Sequence, residues 1–104
     1  MARDGLSGGT RSEEQSRVRQ VSPPLFKVLM HNDDYTTMEF VVEVLIFVFN
    51  KSAEEAAQIM LNVHKQGIGV CGLYTWDVAE TKVTTVENLA REKGFPLKCT
   101  MEED

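Results

Sequence analysis

The sequence predicts an α+β fold, a two-layer sandwich in which a three-stranded antiparallel sheet packs on three helices in the order β-α-α-β-α-β. Two observations indicate this class. Three short apolar runs have the length of strands, and three longer stretches begin at residues typical of helix N-termini. With 104 residues, 42% of them hydrophobic, the chain has the length and composition of one domain with a core.

Residues 1–22 are expected to form a flexible N-terminal extension. They are rich in glycine, serine and arginine and contain few large aliphatic side chains, so they bury too little apolar surface to offset the entropy lost on ordering. Pro23 and Pro24 then form a stiff, extended junction. The folded domain is therefore predicted to cover residues 23–104.

The first strand is predicted over residues 25–30, an apolar run of strand length. Residues 31–35, which follow, are a cluster of turn formers. Thr36 and Glu39 then match the capping box, in which two side chains satisfy free N–H groups at a helix start. We predict a helix from this box to about Asn50, because asparagine tolerates the left-handed conformation that ends many helices.

The second half of the domain contains the remaining elements. A second capping box begins a helix at Ser52, and Gly67 is placed to end it as a left-handed cap. Residues 68–74 form a strand whose two glycines indicate a bend or a close approach of the backbone. A third helix follows and ends at Gly94, and residues 96–102 form the last strand.

The first predicted helix is apolar around almost its whole circumference. A helix of this kind is normally central and buried. In a small domain, however, one of its sides can line a pocket or a partner surface instead. The pattern leaves both interpretations open.

A polar cluster lies between the first strand and the first helix, where loops commonly place functional groups. In one interpretation Asn32, Asp33 and Asp34 only form the turn and cap the helix. In the other, one carboxylate structures the turn while the second joins the amide oxygen in binding an ammonium group, which offers three donors. His64 joins them if the second helix packs beside the loop, and otherwise is a helix-end histidine near the negative pole.

Apolar and partly flexible side chains surround this polar point in the predicted fold. They are Met38, Val41, Met60, Val63 and Leu97. Methionine adapts to irregular guests because its stem is unbranched and its sulfur is polarisable. A stripe of this composition is more often part of an ordinary core, so the sequence pattern alone does not establish a pocket.

Composition and cysteine spacing exclude several classes of function. A net charge of −5 argues against nucleic acid as a partner, no apolar run approaches a membrane span, and residues 1–10 lack a secretory signal. Cys71 and Cys99 have no metal-ligand spacing and are expected to be buried thiols in a reducing compartment. We therefore expect a cytoplasmic monomer that binds neither nucleic acid nor membrane.

Catalysis is not indicated, because the sequence contains no nucleophile elbow, phosphate-binding loop or H-E-x-x-H motif. We expect no enzymatic activity, no cofactor and no bound metal. A metal-assisted hydrolase using His31, Asp33, Asp34 and His64 is the catalytic alternative. A further alternative is an interaction domain whose acidic face docks another protein without a small pocket.

Five segments closely resemble the ClpS family, the bacterial adaptors of the ClpA–ClpP protease. The longest is NDDYTTMEFV at residues 32–41. The others are MLNVHKQG at 60–67, CGLYT at 71–75, AETKV at 79–83 and PLKCT at 96–100. They extend across the whole predicted domain in the same order as in the family, which makes the resemblance highly specific.

The resemblance implies an adaptor that binds N-degrons, proteins whose first residue is a bulky hydrophobic one (Leu, Phe, Tyr or Trp), and delivers them to ClpA–ClpP. By position, the implied roles fall into four groups. They are α-amino-group binding (Asn32, Asp34 and His64), loop support (Asp33), the pocket for the first side chain (Thr36, Met38, Val41, Met60, Val63 and Leu97) and contact with the N-terminal domain of ClpA (Glu80 and Lys82).

One residue departs from the family pattern. Thr37 stands where the family usually has proline, directly before Met38. Both residue types suit the first turn of a helix, so we expect the fold to be kept. The stiffness of the loop at Met38, and with it the preference among bulky first residues, is what this difference is expected to affect.

Overall fold

The structure, a computed structural model, describes residues 22–104. In this range it confirms the α+β class and the predicted order of elements. The predicted flexible extension, residues 1–22, lies outside the described residues except for its last residue. The elements are β1 (Phe26–His31), α1 (Met38–Phe47), α2 (Ala53–Gln66), β2 (Ile68–Tyr74), α3 (Trp76–Lys93) and β3 (Lys98–Glu103).

β1 is the central strand of the sheet, which has the order β2-β1-β3 with both neighbours antiparallel. Successive side chains of a strand point to opposite faces, so β1 directs Val28 and Met30 to one side, where both are fully buried. Cys99 of β3 lies opposite Met30, and Cys71 comes from β2. Residues from all three helices join this same core, which gives the two layers that the sequence predicts.

Both cysteines are free and buried, as predicted. Hydrogen bonding with the Cys71 thiol and burial in the core raise the pKa of the Cys99 thiol above its ordinary value. A thiol that stays protonated is a poor nucleophile and a poor metal ligand. The two residues therefore serve as small core side chains.

The N-terminus of α1 differs from the prediction. Thr37, and not Thr36, is the N-cap, and its hydroxyl accepts a hydrogen bond from the Phe40 N–H at 3.2 Å. The predicted capping box of Thr36 and Glu39 is therefore wrong. The physical reason is a competing acceptor, because the Thr36 N–H, which Glu39 would accept in that box, donates instead to the Asp33 carboxylate at 2.7 Å. The Thr36 hydroxyl donates to the same carboxylate, and the helix starts one residue later.

The first helix also ends earlier than predicted, at Phe47 rather than near Asn50. Asn50 does adopt a left-handed conformation, with φ of 58°, but it lies in the connection that follows the helix. The Lys82 ammonium of α3 donates to the Val48 carbonyl at 2.7 Å. A cation at this point satisfies a carbonyl at the negative end of the helix, so α3 helps to fix where α1 stops.

The later elements match the predictions closely. Ser52 and Glu55 form the predicted reciprocal capping box at the start of α2. Gly67 and Gly94 end α2 and α3 in left-handed conformations, with φ of 87° and 78°. β3 begins at Lys98, two residues after the predicted start, and residue 96 precedes it.

We predict that Thr37→Ala lowers the free energy of unfolding by about 1 kcal/mol, the usual effect of removing an N-cap hydroxyl. Thr37→Pro should cost less, because the Thr37 φ of −74° suits proline and proline restricts the unfolded chain. Urea unfolding followed by circular dichroism measures both changes. Wild-type stability of Thr37→Ala would show that the hydroxyl does not cap α1.

Candidate functional site

A cavity of about 270 Å³ opens where the loop between β1 and α1, the start of α1 and the end of α2 meet. Nine residues line it, and all nine are among those that the sequence singles out. They are Asn32, Asp33, Asp34 and Thr36 of the loop, Met38 and Val41 of α1, and Met60, Val63 and His64 of α2.

One backbone hydrogen bond holds the loop beside α2. The Asn32 N–H donates to the Gly67 carbonyl at 3.0 Å. Gly67 ends α2 and turns the chain into β2, whose first residue, Ile68, pairs with His31. The loop therefore lies next to the last turn of α2, which carries His64, and the condition for bringing His64 to the polar cluster is met.

Asp33 is occupied within the loop. Its carboxylate accepts the Tyr35 N–H at 2.8 Å, the Thr36 N–H at 2.7 Å and the Thr36 hydroxyl at 2.7 Å. Partial burial raises the pKa of the Asp33 carboxyl, but hydrogen bonds from Thr36 and Tyr35 outweigh it and hold this pKa below its ordinary value. The ionised carboxylate is thus the form that the loop stabilises.

Asn32, Asp34 and His64 present side chains that are available to a ligand. All three are exposed, and within residues 22–104 none of these side chains is hydrogen-bonded or ion-paired to another residue. An amide oxygen, a carboxylate and a neutral imidazole nitrogen are all acceptors, whereas an ammonium group has three donors and no acceptor. The three groups can therefore bind a primary amine with one oppositely charged partner.

The remaining wall of the cavity is apolar. Val41 and Val63 are buried in the core, whereas Met38 is 47% exposed and Met60 is half-buried. The valines are stiff in a helix, and the methionines can change rotamer at small cost. The wall therefore combines a fixed base with two adaptable side chains.

Gly69 is a residue of the site that the sequence does not connect to the pocket. A Cβ atom at this position would lie 2.7 Å from Cγ2 of Val63 and 3.4 Å from the carbonyl oxygen of Ile59. β2 can approach α2 this closely only because Gly69 has no side chain. The glycine in the strand indicates a close approach, but not which residue it faces.

Three predicted site residues lie away from the cavity. Leu97 is 5% exposed, belongs to the core and does not line the cavity. Glu80 is exposed on α3. Lys82 is half-buried, with its Nζ on the Val48 carbonyl and 5.1 Å from the centre of the Tyr74 ring, so it has a structural contact of its own.

The residues of the metal-site alternative do not gather at one point. Nε2 of His31 is hydrogen-bonded to the Thr100 hydroxyl at 2.8 Å, and His31 is not part of the cavity wall. Among residues 22–104, no group of three or more His, Cys, Asp or Glu side chains is arranged to hold a metal ion. In the same range, no helix is long and apolar enough to cross a membrane.

One solved structure is similar to this chain in fold and sequence, and curated proteins are similar to it in sequence. Agrobacterium tumefaciens ClpS2, whose structure was solved bound to L-phenylalaninamide, is 41% identical with a TM-score of 0.77, over 80% of this chain and 100% of that chain. The ATP-dependent Clp protease adapter protein ClpS of Desulforapulum autotrophicum is 61% identical over 90% of both chains. The corresponding Maricaulis maris protein is 53% identical over 96% of this chain and 92% of its own length.

These similarities define the class of the protein as a protease adaptor, which is not itself a catalytic enzyme. A family model described as "ATP-dependent Clp protease adaptor protein ClpS" matches residues 21–100. The chain belongs to the ClpS family. Its partner is accordingly a Clp protease, and its role is to bind what that protease degrades.

We predict that Gly69→Ala narrows the cavity. The added methyl group meets Val63, which is too stiff to turn away, so Val63 must shift toward the cavity, and overpacking should lower the free energy of unfolding by about 1–3 kcal/mol. In the binding mode that the family resemblance implies, where the cavity takes the first side chain of a substrate, peptides beginning with Trp or Phe should lose more affinity than peptides beginning with Leu. Fluorescence anisotropy with the three peptides measures this selectivity.

Gly72→Ala is the matched control for Gly69→Ala. A Cβ at residue 72 would meet the Tyr74 ring at 2.5–2.8 Å, and neither residue lines the cavity. This variant should be destabilised without a change in peptide preference. An equal change of preference in both variants would contradict the link between Gly69, Val63 and the cavity.

Proposed function

We propose that this protein binds N-degron substrates through their free α-amino group and their bulky hydrophobic first residue, and delivers them to the ClpA–ClpP protease. The first residue is Leu, Phe, Tyr or Trp. The observation that carries the proposal is one cavity that joins free acceptor groups to an apolar wall. An N-terminal residue presents the complementary pair, a cation next to an apolar side chain.

The polar end of the cavity distinguishes free from blocked N-termini. Asp34 provides the charge, while Asn32 and His64 provide further acceptors for the three ammonium donors. Acetylation removes the positive charge and two of the donors. The Asp34 carboxylate would then be desolvated without a partner, a loss of about 2–5 kcal/mol.

The apolar end selects by size and shape. A hydrophobic pocket discriminates by only about 1–3 kcal/mol for one methylene group, so it accepts a class of bulky side chains and not a single one. The adaptable Met38 and Met60 fit this breadth. L-Phenylalaninamide, which Agrobacterium tumefaciens ClpS2 holds, combines a free amine with a bulky side chain and supports the same ligand chemistry for this chain.

Delivery requires a second surface, which we place on α3. Glu80 is exposed there and is the residue we assign to the N-terminal domain of ClpA. Lys82 is assigned to the same contact, although its ammonium also binds the Val48 carbonyl. Because these residues do not line the cavity, a monomeric cytoplasmic adaptor can hold a substrate and the unfoldase at the same time.

We predict that Asp34→Ala weakens binding of a Phe-initiated peptide by at least 30-fold, because the ammonium loses the carboxylate that the proposed site provides for it, a change of about 2 kcal/mol or more. Asp34→Asn should recover part of this loss, since it keeps an acceptor but not the charge. Fluorescence anisotropy measures the affinities, and thermal denaturation checks that both variants are folded.

Asp77→Ala is the matched control, because it removes an exposed carboxylate from the first turn of α3 outside the cavity. Its peptide affinity should equal that of the wild type. An N-acetylated Phe peptide should bind wild-type protein as weakly as the free peptide binds Asp34→Ala. Equal affinities of the free and acetylated peptides for wild-type protein would overturn the proposed function.

We also predict that Glu80→Arg abolishes delivery while leaving peptide affinity unchanged, since the substitution reverses a charge on α3 at a residue that does not line the cavity. Degradation of a Phe-initiated reporter by ClpA–ClpP measures delivery. Glu92→Arg is the control: the residue is exposed on the same helix, about 18 Å further along its axis. If both variants deliver the reporter at the wild-type rate, Glu80 does not belong to the docking surface.

A further inference from the structure

The side of α1 that faces away from the core carries apolar side chains beside two glutamates. Phe40, Val41, Val44 and Leu45 are the buried residues of this helix. On the other side, Phe47 is 75% exposed. An aromatic ring so accessible contributes little to the stability of the monomer, since its apolar surface stays in water.

This exposed side forms one wall of a groove that adjoins the cavity. Val42, Ile46 and Phe47 line it along α1, and Met38 and Met60 line both the groove and the cavity. The two methionines are therefore the boundary between the two spaces. A chain whose first side chain fills the cavity can therefore continue into the groove beyond that boundary.

We propose that this groove binds the substrate residues that follow the first one, and that it takes an apolar side chain at the third position. The inference rests on the function proposed above. It extends the binding site from one residue of the substrate to a short segment, and it assigns Ile46 and Phe47 a direct contact with substrate.

The length of the groove and the alternation of side chains along an extended chain support a substrate segment as its occupant. From Met38 to Ile46 the helix rises about 12 Å, the span of about four residues in an extended chain. Side chains of an extended chain alternate between two sides. The first and third side chains therefore point the same way, so the third faces the groove when the first enters the cavity, whereas the second faces away.

Charge favours the same occupant. Glu39 and Glu43 lie on the groove, and neither carboxylate is ion-paired within residues 22–104. With Asp33 and Asp34 in the adjoining cavity, this makes the whole path acidic. An acidic groove with an apolar base suits a segment that starts with an ammonium group and carries apolar residues, and it disfavours acidic residues.

The test uses three fluorescent peptides that begin Phe-Ser-Ser-Ser, Phe-Leu-Ser-Ser and Phe-Ser-Leu-Ser. For wild-type protein, Leu at the third position should raise affinity about fivefold to tenfold, the effect of burying most of one such side chain. Leu at the second position should raise it less than twofold. In Phe47→Gln and Ile46→Gln, the gain from the third residue should fall below twofold.

Leu61→Gln is the control, because it removes an exposed leucine (38% exposed) from α2 outside the groove and the cavity. Leu61→Gln should keep the full gain in affinity that Leu at the third position gives. Binding of Phe-Ser-Ser-Ser should be unchanged in all three variants, which also shows that each is folded. A gain that is missing from wild-type protein, or that survives in both groove variants, overturns the inference.

The outcomes separate this inference from the proposed function. If Phe-Ser-Ser-Ser binds and the third residue has no effect, the groove assignment fails and the amine site stands. If Phe-Ser-Ser-Ser does not bind wild-type protein, both fail. Sedimentation velocity tests whether a second copy of the chain, and not the substrate, binds in the groove. A wild-type dimer that Phe47→Gln converts to a monomer would assign the groove to that second copy and overturn the inference.

Discussion

The hydrogen bond from the Asn32 N–H to the Gly67 carbonyl joins two parts of the cavity that are far apart in the sequence. It continues the ladder of the sheet by one step, because His31 is already paired with Ile68. The left-handed conformation of Gly67 makes the step possible, since it ends α2 and starts β2 without an intervening loop. The position of His64 relative to the acidic loop is therefore set by the sheet, and not by contacts between the polar side chains themselves. This matters for binding, because a site whose groups are held by the backbone does not have to be ordered by the ligand.

The two adjacent aspartates have different roles in the loop: one fixes the turn and the other is available to a ligand. Asp33 uses its carboxylate on Tyr35 and Thr36, and this leaves Asp34 as the charge that is free to meet a ligand. One carboxylate would serve both roles less well, since the hydrogen bonds that fix the turn take three of its roughly four acceptor sites. The same competition explains the start of α1. Because the N–H and hydroxyl of Thr36 donate to Asp33, Thr37 is the N-cap of α1. The residue that departs from the family pattern therefore stabilises the start of this helix.

The sequence predicts the elements well where local chemistry decides them. Ser52 and Gly67 act through contacts within four residues, and both behave as predicted. The sequence predicts the ends of α1 wrongly. At its start, two neighbouring threonines, Thr36 and Thr37, are both possible N-caps. At its end, the contact that matters comes from a residue distant in the sequence, Lys82, which donates to the Val48 carbonyl.

For the site, residue types and the family resemblance single out the nine residues that line the cavity. Spacing along the loop and along each helix groups their side chains locally, and the sheet brings these groups together. Leu97 and Gly69 show the limit of that reasoning. Leu97 is buried like Val41 and Val63, but only the two valines line the cavity, and residue type alone does not tell these cases apart. Gly69 has no side chain to suggest a role, and its effect on Val63 is visible only in three dimensions.

The unusual composition of α1 follows from its having two apolar neighbours. Its inner side packs in the core, and its outer side forms the groove that begins at Met38 and Met60. A single exposed apolar residue on a protein surface needs no explanation. The outer side of α1 is different, because Val42, Ile46 and Phe47 lie together and continue a cavity that is itself suited to one end of a peptide.

Burial of such a surface against a substrate is more favourable than its exposure to water. A substrate that is already bound by its amine reaches this surface at little further entropic cost. The sequence leaves open whether this apolar helix is buried in the core or lines a binding surface. Both interpretations apply, because one side of the helix packs in the core and the other side forms the binding surface.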